Sequence, residues 1–402
     1  MDIVIVAQYL RDIENFDGNN SRFVYLAKML AEDKNNSVEI ITSDFYHGSK
    51  VHFKNIGDLD SIKVTACHES GYPKNVSLKR FWSHRELAKN IHKYLKTRQV
   101  PDVMYVAVPS LDVAEVCAKY CASNHVRFIV DVQDLWPEAF QMVVNLPVIS
   151  DLGFLPMRRQ ADRIYAAADE IVAVSETYVN RALQANQKCT QGYSVYLGTQ
   201  LKTFDDLRNN DVHYLKEKDE CWIAYVGTLG HSYDLTCMMD ALEILYSQDG
   251  IRNIRFMVMG QGPLKEKFQQ HAENLKVPVT FTGMLPYSQM VPMLCACDIA
   301  VNPIMHGAAQ SIINKVGDYA AAGLPVVSTQ ECPEYCGLIT QYNIGIHCED
   351  RDVRGVAKAL KHLITHPELR EEMGRNNRLL AEKRFDRMET YSQIVKIIQG
   401  EC

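Results

Sequence analysis

The amino-acid sequence predicts an α/β protein with two Rossmann-like domains, each a doubly wound parallel sheet. Short runs rich in β-branched residues recur along the chain, as is typical of strands buried on both faces of a parallel sheet. Amphipathic helical patterns such as Ser21–Ala31, Leu111–Cys121 and Leu235–Tyr246 separate these runs, as in repeated βαβ units. The predicted strands are Ile3–Ala7, Val38–Thr42, Val103–Ala107, Arg127–Val132, Glu170–Val174, Tyr193–Leu197, Trp222–Val226, Arg255–Met259, Val279–Thr282, Ile299–Pro303 and Pro325–Ser328.

The length of the chain and one polar segment predict the domain boundaries. A chain of 402 residues is too long for one ordinary hydrophobic core. The series of strands and helices breaks near Lys202–Lys218, which is polar and charged, and then resumes. We expect a first Rossmann-like domain at residues 1–205, a second at 206–383, and a C-terminal helix at 384–402 that packs back on the first domain. Ligands of such sheets bind beyond the carboxyl ends of the strands, so we expect the site in a cleft between the two domains.

Composition and charge disfavour several classes of protein. The chain is 47% hydrophobic and 23% charged, which is normal for a soluble globular protein. Its net charge of −6 disfavours a general nucleic-acid-binding protein. The first apolar run lacks the flanks of a signal peptide, and no stretch reaches the roughly 18 apolar residues of a membrane-spanning helix. We therefore expect a cytoplasmic protein that does not bind nucleic acid.

The first loop of the chain contains a glycine before a predicted helix. Gly18 and Asn19 precede Ser21–Ala31. A glycine there lets backbone N–H groups approach an anion at the N-terminus of the helix. The loop lacks the G-x-G-x-x-G pattern of a dehydrogenase, and an ordinary βα turn with polar caps is the alternative.

Two acids follow the predicted strand Arg127–Val132. Asp134 and Glu138 are four residues apart, so one helical turn would place both on the same side. Carboxylates at the end of a strand can orient a sugar hydroxyl or act as a base, and we take both as candidate catalytic residues. The alternative is a capping aspartate and a solvated glutamate.

Three glycine turns follow predicted strands of the second domain and together indicate a pocket. Gly227 and Thr228 would offer a backbone N–H and a hydroxyl to a phosphate, and Gly260 and Gly262 form the next turn. The turns are Tyr225–Gly230, Met259–Leu264 and Phe281–Pro286.

The segment His306–Ser328 combines a loop, a cation, an acid and a helix-ending glycine. An aspartate such as Asp318 can accept two hydrogen bonds from a ribose diol, and Lys315 can neutralise a diphosphate. Gln310 lies eight residues before Asp318. The alternative is a capped helix with one solvated lysine.

The segment Pro73–Arg98 is basic and includes aromatic side chains. This composition suits an anionic membrane surface or a lipid diphosphate. A solvated helix face is the main alternative, and attraction of RNA is a weaker one. The candidate residues of this membrane or acceptor patch are Lys79, Arg80, Phe81, Trp82 and Arg85.

Two D-x-D triplets, Asp58–Asp60 and Asp350–Asp352, are potential metal ligands near a nucleotide-sugar. Both lie in polar stretches away from the predicted cleft. We interpret them as surface loops and expect no metal ion or other cofactor.

The chain resembles the retaining glycosyltransferase family 4, whose fold is GT-B. The resemblance extends over nearly the whole chain and is carried by three segments. The resemblance is closest to the branch that builds bacterial capsule, O-antigen and exopolysaccharide chains. Asp134–Glu138 is similar to its DLWPE segment, and Tyr225–Gly230 to its YxGTLG turn. Asn314–Tyr319 with Ala322–Val327 is similar to its K-[LV]-x-[DE]-Y-x-A-x-G-x-P-V block.

The resemblance implies a role for each residue of a nucleotide-sugar site. Gly18 and Asn19 would lie under the donor phosphates, and Asp318 would hold the ribose. Many members carry an acid where this chain has Gln310. Many also carry an Arg–Lys pair in the stretch that is Thr228–Ser232 here. Because that pair is absent from this chain, Lys315 would neutralise the phosphate charge with help from His231. The other implied donor contacts are Met284 and Leu285 at the base, and Ser311 and Asn314, with Gln310, at the sugar and phosphates.

The resemblance also implies the reaction. By this likeness the domain at 1–205 binds the acceptor and the domain at 206–383 binds the donor. We expect metal-independent transfer of a sugar, with retention of configuration, from a nucleotide donor of the UDP-sugar class. The acceptor would be a saccharide or an undecaprenyl-diphosphate-linked saccharide at the inner face of the plasma membrane. Two alternatives stay open: a nucleotide-sugar 2-epimerase of the same architecture, and a non-catalytic nucleotide-sugar-binding protein.

Overall fold

The computed structural model describes residues 1–10, 21–53, 56–75, 77–141, 147–211, 214–308 and 311–401. The chain forms two compact units. The first comprises Met1–Val195 and Tyr391–Cys402, and the second comprises Tyr196–Thr390. The sequence analysis put this division after residue 205, whereas the chain leaves the first unit after Val195.

The described residues of the first unit form a seven-stranded parallel sheet in the order β5-β2-β1-β6-β7-β8-β9. The order reverses between β1 and β6, which are neighbours, so this point is the topological switch of a Rossmann-like sheet. The strands are β1 Asp2–Val6, β2 Ser37–Ser43, the short antiparallel pair β3 Phe45–Tyr46 and β4 Val51–His52, then β5 Ile62–Cys67, β6 Val103–Val108, β7 Arg127–Val132, β8 Glu170–Ala173 and β9 Tyr193–Ser194.

The helices of the first unit connect these strands. The longer ones follow apolar periodicity; in α2, for example, Ser83, Leu87 and Ile91 are buried. The helices are α1 Arg22–Ala31, α2 Leu78–Leu95, α3 Leu111–Asn124, α4 Glu138–Gln141, α5 Pro147–Ala167 and α6 Glu176–Leu183.

The described residues of the second unit form a six-stranded parallel sheet in the order β12-β11-β10-β13-β14-β15. This order is that of a dinucleotide-binding Rossmann sheet, with the switch point between β10 and β13. The strands are β10 Cys221–Val226, β11 Ile254–Met259, β12 Val279–Gly283, β13 Ile299–Asn302, β14 Val326–Ser328 and β15 Gly345–His347.

The helices of the second unit cover both faces of its sheet. Two of them, α8 and α14, continue into π-helical turns at Ile244–Gln248 and Ala381–Phe385. The helices are α7 Leu201–Leu207, α8 Leu235–Glu243, α9 Lys265–Leu275, α10 Tyr287–Cys295, α11 Lys315–Ala322, α12 Pro333–Tyr342, α13 Val353–Thr365 and α14 Pro367–Leu380; α15 Arg387–Gln399 then carries the chain back into the first unit.

Strand β10 shows why the predicted fold class is confirmed. Trp222 and Ala224 belong to one buried apolar cluster, while Ile223 and Tyr225 belong to another. Successive side chains of a strand point to opposite faces, so the sheet has a core on each face. A parallel sheet covered on both faces is the arrangement that the continuous apolar runs predict.

The last helix, α15, completes the core of the first unit. Tyr391, Ile394 and Ile397 pack in the same apolar cluster as Ile3 and Ile5 of β1. At the end of α15, the Arg127 guanidinium donates through Nη1 to the Ile398 carbonyl at 2.9 Å and through Nη2 to the Ile397 carbonyl. A cation at the last carbonyls of a helix stabilises its C-terminus.

Strands β3, β4, β5 and β15 were not predicted, because each is very short or lacks a continuous apolar run. In β5, a strand at the edge of the first sheet, Lys63 and Ala66 are exposed between buried neighbours. Strands β9 and β15 are two and three residues long, so only the first part of the predicted Tyr193–Leu197 strand forms. The polar segment Lys202–Lys218 begins with helix α7. Among the described residues, no helix is both long and apolar enough to span a bilayer.

Candidate functional site

The loops after β10 and β13 meet at the switch point of the second sheet. Tyr233 and Ile304 form an isolated antiparallel bridge between these loops. The Asp234 N–H donates to the Pro303 carbonyl at 2.9 Å, and the Met305 N–H donates to the Ser232 carbonyl at 3.1 Å. The carboxyl ends of strands at a switch point are where open α/β sheets bind ligands.

Lys315, the first residue of α11, extends into this region of the second unit. The residue is 8% exposed, and its Nζ lies 4.0 Å from the centroid of the Tyr225 ring and 3.8 Å from that of the Tyr233 ring. Among the residues that the structure describes, no hydrogen-bond acceptor reaches Nζ. The two rings attract a cation through their π faces, but they do not neutralise it.

The burial of Lys315 has an electrostatic consequence. Removal of the ammonium from water holds the pKa of Lys315 well below its usual range. A buried charge without an opposite charge is strongly unfavourable, and a bound anion would restore the balance. The Lys315 amine is therefore suited to bind an anion.

The glycine turns of the second unit pack against one another and against Lys315. Gly227 has a φ of +140°, and a Cβ there would lie 3.0 Å from the Lys315 Nζ. A Cβ at Gly260 would overlap the Gly227 carbonyl oxygen, and one at Gly262 would overlap that of Leu229. Gly260 and Gly262 are thus required for the close approach of two loops, whereas Gly227 leaves room for the lysine.

Asp318 lies one helical turn after Lys315. Its Oδ1 accepts hydrogen bonds from Thr199 Oγ1 at 2.8 Å and from the Tyr287 hydroxyl at 3.1 Å. Within the described part of the chain, Oδ2 receives no hydrogen bond and is not fully buried. Burial raises the pKa of Asp318, and the two donated hydrogen bonds oppose that shift. The oxygen without an intramolecular partner is the one that can accept from a ligand.

The remaining predicted donor residues fall into three groups. The side chains of Met284, Thr228, His231 and Asn314 are exposed, and Met284 is 80% exposed. Ser311 and Leu285 are partly buried, and the Ser311 carbonyl accepts from Gln330 Nε2 at 2.7 Å. The predicted residues that lie outside the described part of the chain are Gly18, Asn19 and Gln310.

In the first unit, the predicted catalytic acid Asp134 lies just beyond β7. Its carboxylate accepts from the Leu135 N–H at 3.0 Å, from Trp136 Nε1 at 3.3 Å and from the Tyr178 hydroxyl at 3.5 Å. Burial raises the pKa of Asp134, although these three donors oppose the shift. The acid is therefore anchored at the carboxyl edge of the first sheet.

Glu138, the second predicted acid, pairs with a partner that the sequence did not suggest. Arg181 Nε donates to Glu138 Oε1 at 2.6 Å, and Arg181 Nη2 lies 2.8 Å from Asp162 Oδ1. These three residues line a pocket of about 630 Å³. The ion pair gives Glu138 a structural role in joining α4 to α6.

Arg80 requires a correction to the predicted membrane patch. It is 8% exposed and lies on the inner face of α2, together with Ser83 and His84. Lys79, Trp82 and Arg85 are exposed as predicted, and Phe81 is partly buried. Residues three and four positions apart share one face of a helix, so Arg80 belongs to the buried stripe and not to the exposed one.

One carboxylate of each D-x-D triplet accepts a hydrogen bond from the nearby backbone, and Asp350 accepts from the His306 N–H at 3.1 Å. Asp58 Oδ1 accepts from the Val64 N–H at 2.9 Å, and Asp352 Oδ1 accepts from the Gly355 N–H at 2.9 Å and caps α13. Among the described residues, one group has ligand atoms close enough to hold a metal ion: Asp44, His52 and His68. The hydrogen bond between His68 Nδ1 and Asp44 Oδ2, at 2.8 Å, accounts for part of this arrangement.

Sequence reasoning missed the residues that surround Lys315 and Asp318. Tyr225 belongs to a predicted strand and to the predicted turn Tyr225–Gly230, and this position only weakly indicates a contact with the site. Tyr233, Thr199 and Tyr287 lie in separate segments with no distinctive pattern, so only the fold brings them to the site.

A family model matches part of the sequence. Residues 220–366 match the family model described as "Glycosyl transferases group 1", and this span lies within the second unit. A search among curated proteins gave no match.

Structural comparisons cover the whole chain. A sucrose-phosphate synthase from Thermosynechococcus elongatus is 14% identical with a TM-score of 0.72, over 100% of this chain and 98% of that chain. The Anabaena protein HepE in complex with UDP is 14% identical with a TM-score of 0.69, over 100% of both chains. WaaG, a glycosyltransferase involved in lipopolysaccharide biosynthesis, is 15% identical with a TM-score of 0.66, over 100% of both chains. The chain therefore has the fold of GT-B glycosyltransferases and a glycosyl transferases group 1 domain.

Proposed function

We propose that this protein is a retaining, metal-independent glycosyltransferase of family 4 that uses a UDP-sugar as donor. The acceptor is a saccharide or an undecaprenyl-diphosphate-linked saccharide, and the product enters a bacterial surface polysaccharide. Two similar structures support the donor class and the pathway, since HepE was solved with UDP and WaaG acts in lipopolysaccharide biosynthesis. The enzyme works in the cytoplasm, at the inner face of the membrane.

One observation carries the proposal: Lys315 is a buried amine at the switch point of the second sheet, and no residue of the described ranges accepts a hydrogen bond from it. A donor diphosphate supplies the missing negative charge, and Gly227 lets its oxygens approach the amine. Asp318, through Oδ2, accepts a hydrogen bond from the ribose. A nucleoside diphosphate would thus contact the Lys315 cation with its phosphates and the Asp318 carboxylate, a hydrogen-bond acceptor one helical turn away, with its ribose.

The chemistry follows from the charge that develops during transfer. The bond between the sugar C1 and the diphosphate oxygen breaks, and its electron pair leaves with the diphosphate. Lys315 stabilises that negative charge more strongly in a water-poor site than it would in bulk solvent. The acceptor oxygen then bonds to C1 on the same face, and the departing diphosphate takes the acceptor proton. Asp134 positions the acceptor, and this route needs no strong side-chain base.

The Lys315→Met variant tests the proposal. Methionine keeps much of the side-chain volume and removes the charge. The free energy of UDP binding should therefore become less favourable by about 1–3 kcal/mol, the usual loss for a charge-assisted contact. Isothermal titration with UDP measures this loss. Lys267→Met removes an exposed charge from α9 of the same unit and should leave affinity unchanged. Equal UDP affinity in Lys315→Met and the parent protein would refute the proposal.

A second assay separates the transferase from the alternatives. The protein is incubated with UDP-N-acetylglucosamine without an acceptor, and then with lipid-linked saccharides. A glycoside formed only in the presence of an acceptor supports the transferase. A new hexosamine formed without an acceptor identifies a 2-epimerase, and UDP binding without either product identifies a sensor.

A further inference from the structure

Arg80 is a buried cation in the first unit that forms no ion pair with a carboxylate in the described part of the chain. Its Nη1 donates to the Asn75 carbonyl at 2.8 Å, and its Nη2 donates to the Tyr9 hydroxyl at 3.0 Å. Among the residues with described positions, none accepts a hydrogen bond from Nε, and nearby carboxylates, such as Asp134, act on the guanidinium without an ion-pair contact. An uncompensated buried charge is strongly unfavourable unless a ligand supplies the opposite charge.

Aromatic rings surround this guanidinium without neutralising it. Its central carbon lies 4.6 Å from the Trp136 ring centroid, 5.5 Å from that of Tyr72 and 5.9 Å from that of Tyr9. Aromatic faces hold a cation in place, and they leave its net charge unchanged. Trp136 and Tyr72 are buried, whereas Tyr9 is partly exposed and marks the solvent side of the cluster.

Two neighbouring histidines are neutral and therefore do not balance the charge of Arg80. Burial and the nearby positive charges, including Arg80, lower the pKa of His84 to about 3 and that of His47 to about 4. Both rings are therefore neutral at pH 7. His84 stacks on Trp136 with a centroid separation of 5.7 Å, and its Nε2 lies 3.2 Å from the Tyr9 hydroxyl.

The cluster lies where a Rossmann-like sheet binds its ligand. Tyr9 follows β1, and Trp136 follows β7, at the carboxyl edge of the first sheet. Two further buried polar atoms, Gln8 Oε1 and Ser110 Oγ, have no partner among the described residues, and they follow β1 and β6, the two strands at the switch point. Unpaired polar atoms on both sides of a switch point indicate a ligand site.

We propose that Arg80 binds an oxyanion carried by the acceptor, either a phosphate or a sugar carboxylate. The free Nε–H and the adjacent N–H of Nη2 form the edge of the guanidinium that holds such a group with two parallel hydrogen bonds. The assignment of the anion to the acceptor rests on the proposed function. The anion site itself rests only on the geometry of the first unit.

A titration with inorganic phosphate tests the site in the full chain. The protein carries Lys315→Met, which removes the buried cation of the second unit, and Trp82→Phe, which removes the exposed indole. Phosphate is added at constant ionic strength, and the fluorescence of the remaining indoles, Trp136 and Trp222, is followed. We expect a saturable change, because Trp136 contacts Arg80.

Variants of Arg80 connect this response to the guanidinium. Arg80→Met should weaken phosphate binding at least tenfold, and Arg80→Lys, which keeps the charge but not the paired N–H groups, should give a smaller loss. Arg159→Met removes an exposed arginine of the same unit and should bind like the parent. Circular dichroism checks that each variant is folded. A parent without a saturable response, or a folded Arg80→Met protein with unchanged phosphate affinity, would overturn the proposal.

A second titration, with D-glucuronate, distinguishes the two sources of the anion. Tighter binding of phosphate identifies a phosphate-bearing acceptor, and tighter binding of glucuronate identifies an acidic sugar. Neither titration involves the nucleotide. Absence of UDP binding by the unsubstituted protein would therefore remove the transferase proposal and leave the anion site in place.

Discussion

The buried amine of Lys315 should couple UDP binding to pH. In the free protein, burial holds the pKa of Lys315 well below its usual range, and a bound diphosphate raises it again. Between those two pKa values, binding takes up a proton, so UDP affinity decreases as pH rises, by up to tenfold per pH unit. Titrations in buffers of different ionisation enthalpy measure this proton uptake. Lys315→Met should show none, and an unchanged uptake in that variant would assign the proton to another group.

The role of Asp318 can be separated from that of Lys315 by the choice of ligand. Asp318→Asn should weaken UDP binding by about 1–3 kcal/mol, because a charged acceptor for the ribose is lost. Inorganic pyrophosphate has no ribose, so its affinity should not change. Calorimetry with both ligands compares them. Equal losses for UDP and pyrophosphate would contradict a ribose contact.

At the level of single residues, the sequence singled out charged groups but not the side chains that surround them. Lys315 and Asp318 stood out because a cation, an acid and a glycine follow one another in one turn and helix. The contacts of Lys315 with the Tyr225 and Tyr233 rings depend on how distant segments pack, which local spacing does not encode. Arg80 was misplaced for the same reason, since a basic segment does not reveal which of its cations faces inward.

At the level of secondary-structure elements, the contacts of Arg127 at the end of α15 predict a contribution to the stability of the folded protein. Arg127 donates to two terminal carbonyls of this helix and forms an ion pair with Glu170 at 2.6 Å. Arg127→Met should lower the free energy of unfolding by about 1–3 kcal/mol, because it removes a hydrogen bond to each of those carbonyls and the ion pair of Glu170. Urea unfolding measures the change. Arg354→Met, at an exposed position, is the control, and an equal loss in both variants would exclude a specific cap.

Strand prediction succeeded where apolar residues were continuous. β1, β6 and β7 are buried almost throughout, and each was predicted close to its observed bounds. β5 alternates buried and exposed residues at the edge of its sheet, and β15 is too short to give a pattern. Burial on both faces is therefore what made a strand recognisable in this sequence.

For the molecule as a whole, the exposed face of α2 predicts binding to anionic membranes. Leu78 is 81% exposed and Trp82 is 68% exposed, with Lys79 and Arg85 nearby on the same helix. Each large apolar side chain buried in a bilayer interface contributes about 1.5–3 kcal/mol. We therefore expect the double variant Leu78→Ser, Trp82→Ser to bind vesicles with phosphatidylglycerol at least tenfold more weakly.

Cosedimentation with these vesicles measures the effect, and added salt should weaken binding of the parent protein. Leu379→Ser, at an exposed leucine of the second unit that is 51% exposed, should bind like the parent. Equal binding of the double variant and the parent would remove α2 from the membrane contact.

The position of α15 in the first core also affects the order of folding during synthesis. Domains usually fold as they leave the ribosome, beginning with the N-terminal one. Here Tyr391, Ile394 and Ile397, which the first unit needs for its core, emerge after all of the second unit. The half of the protein that is translated first is therefore the last to be complete, and we expect it to depend longest on chaperones in the growing chain.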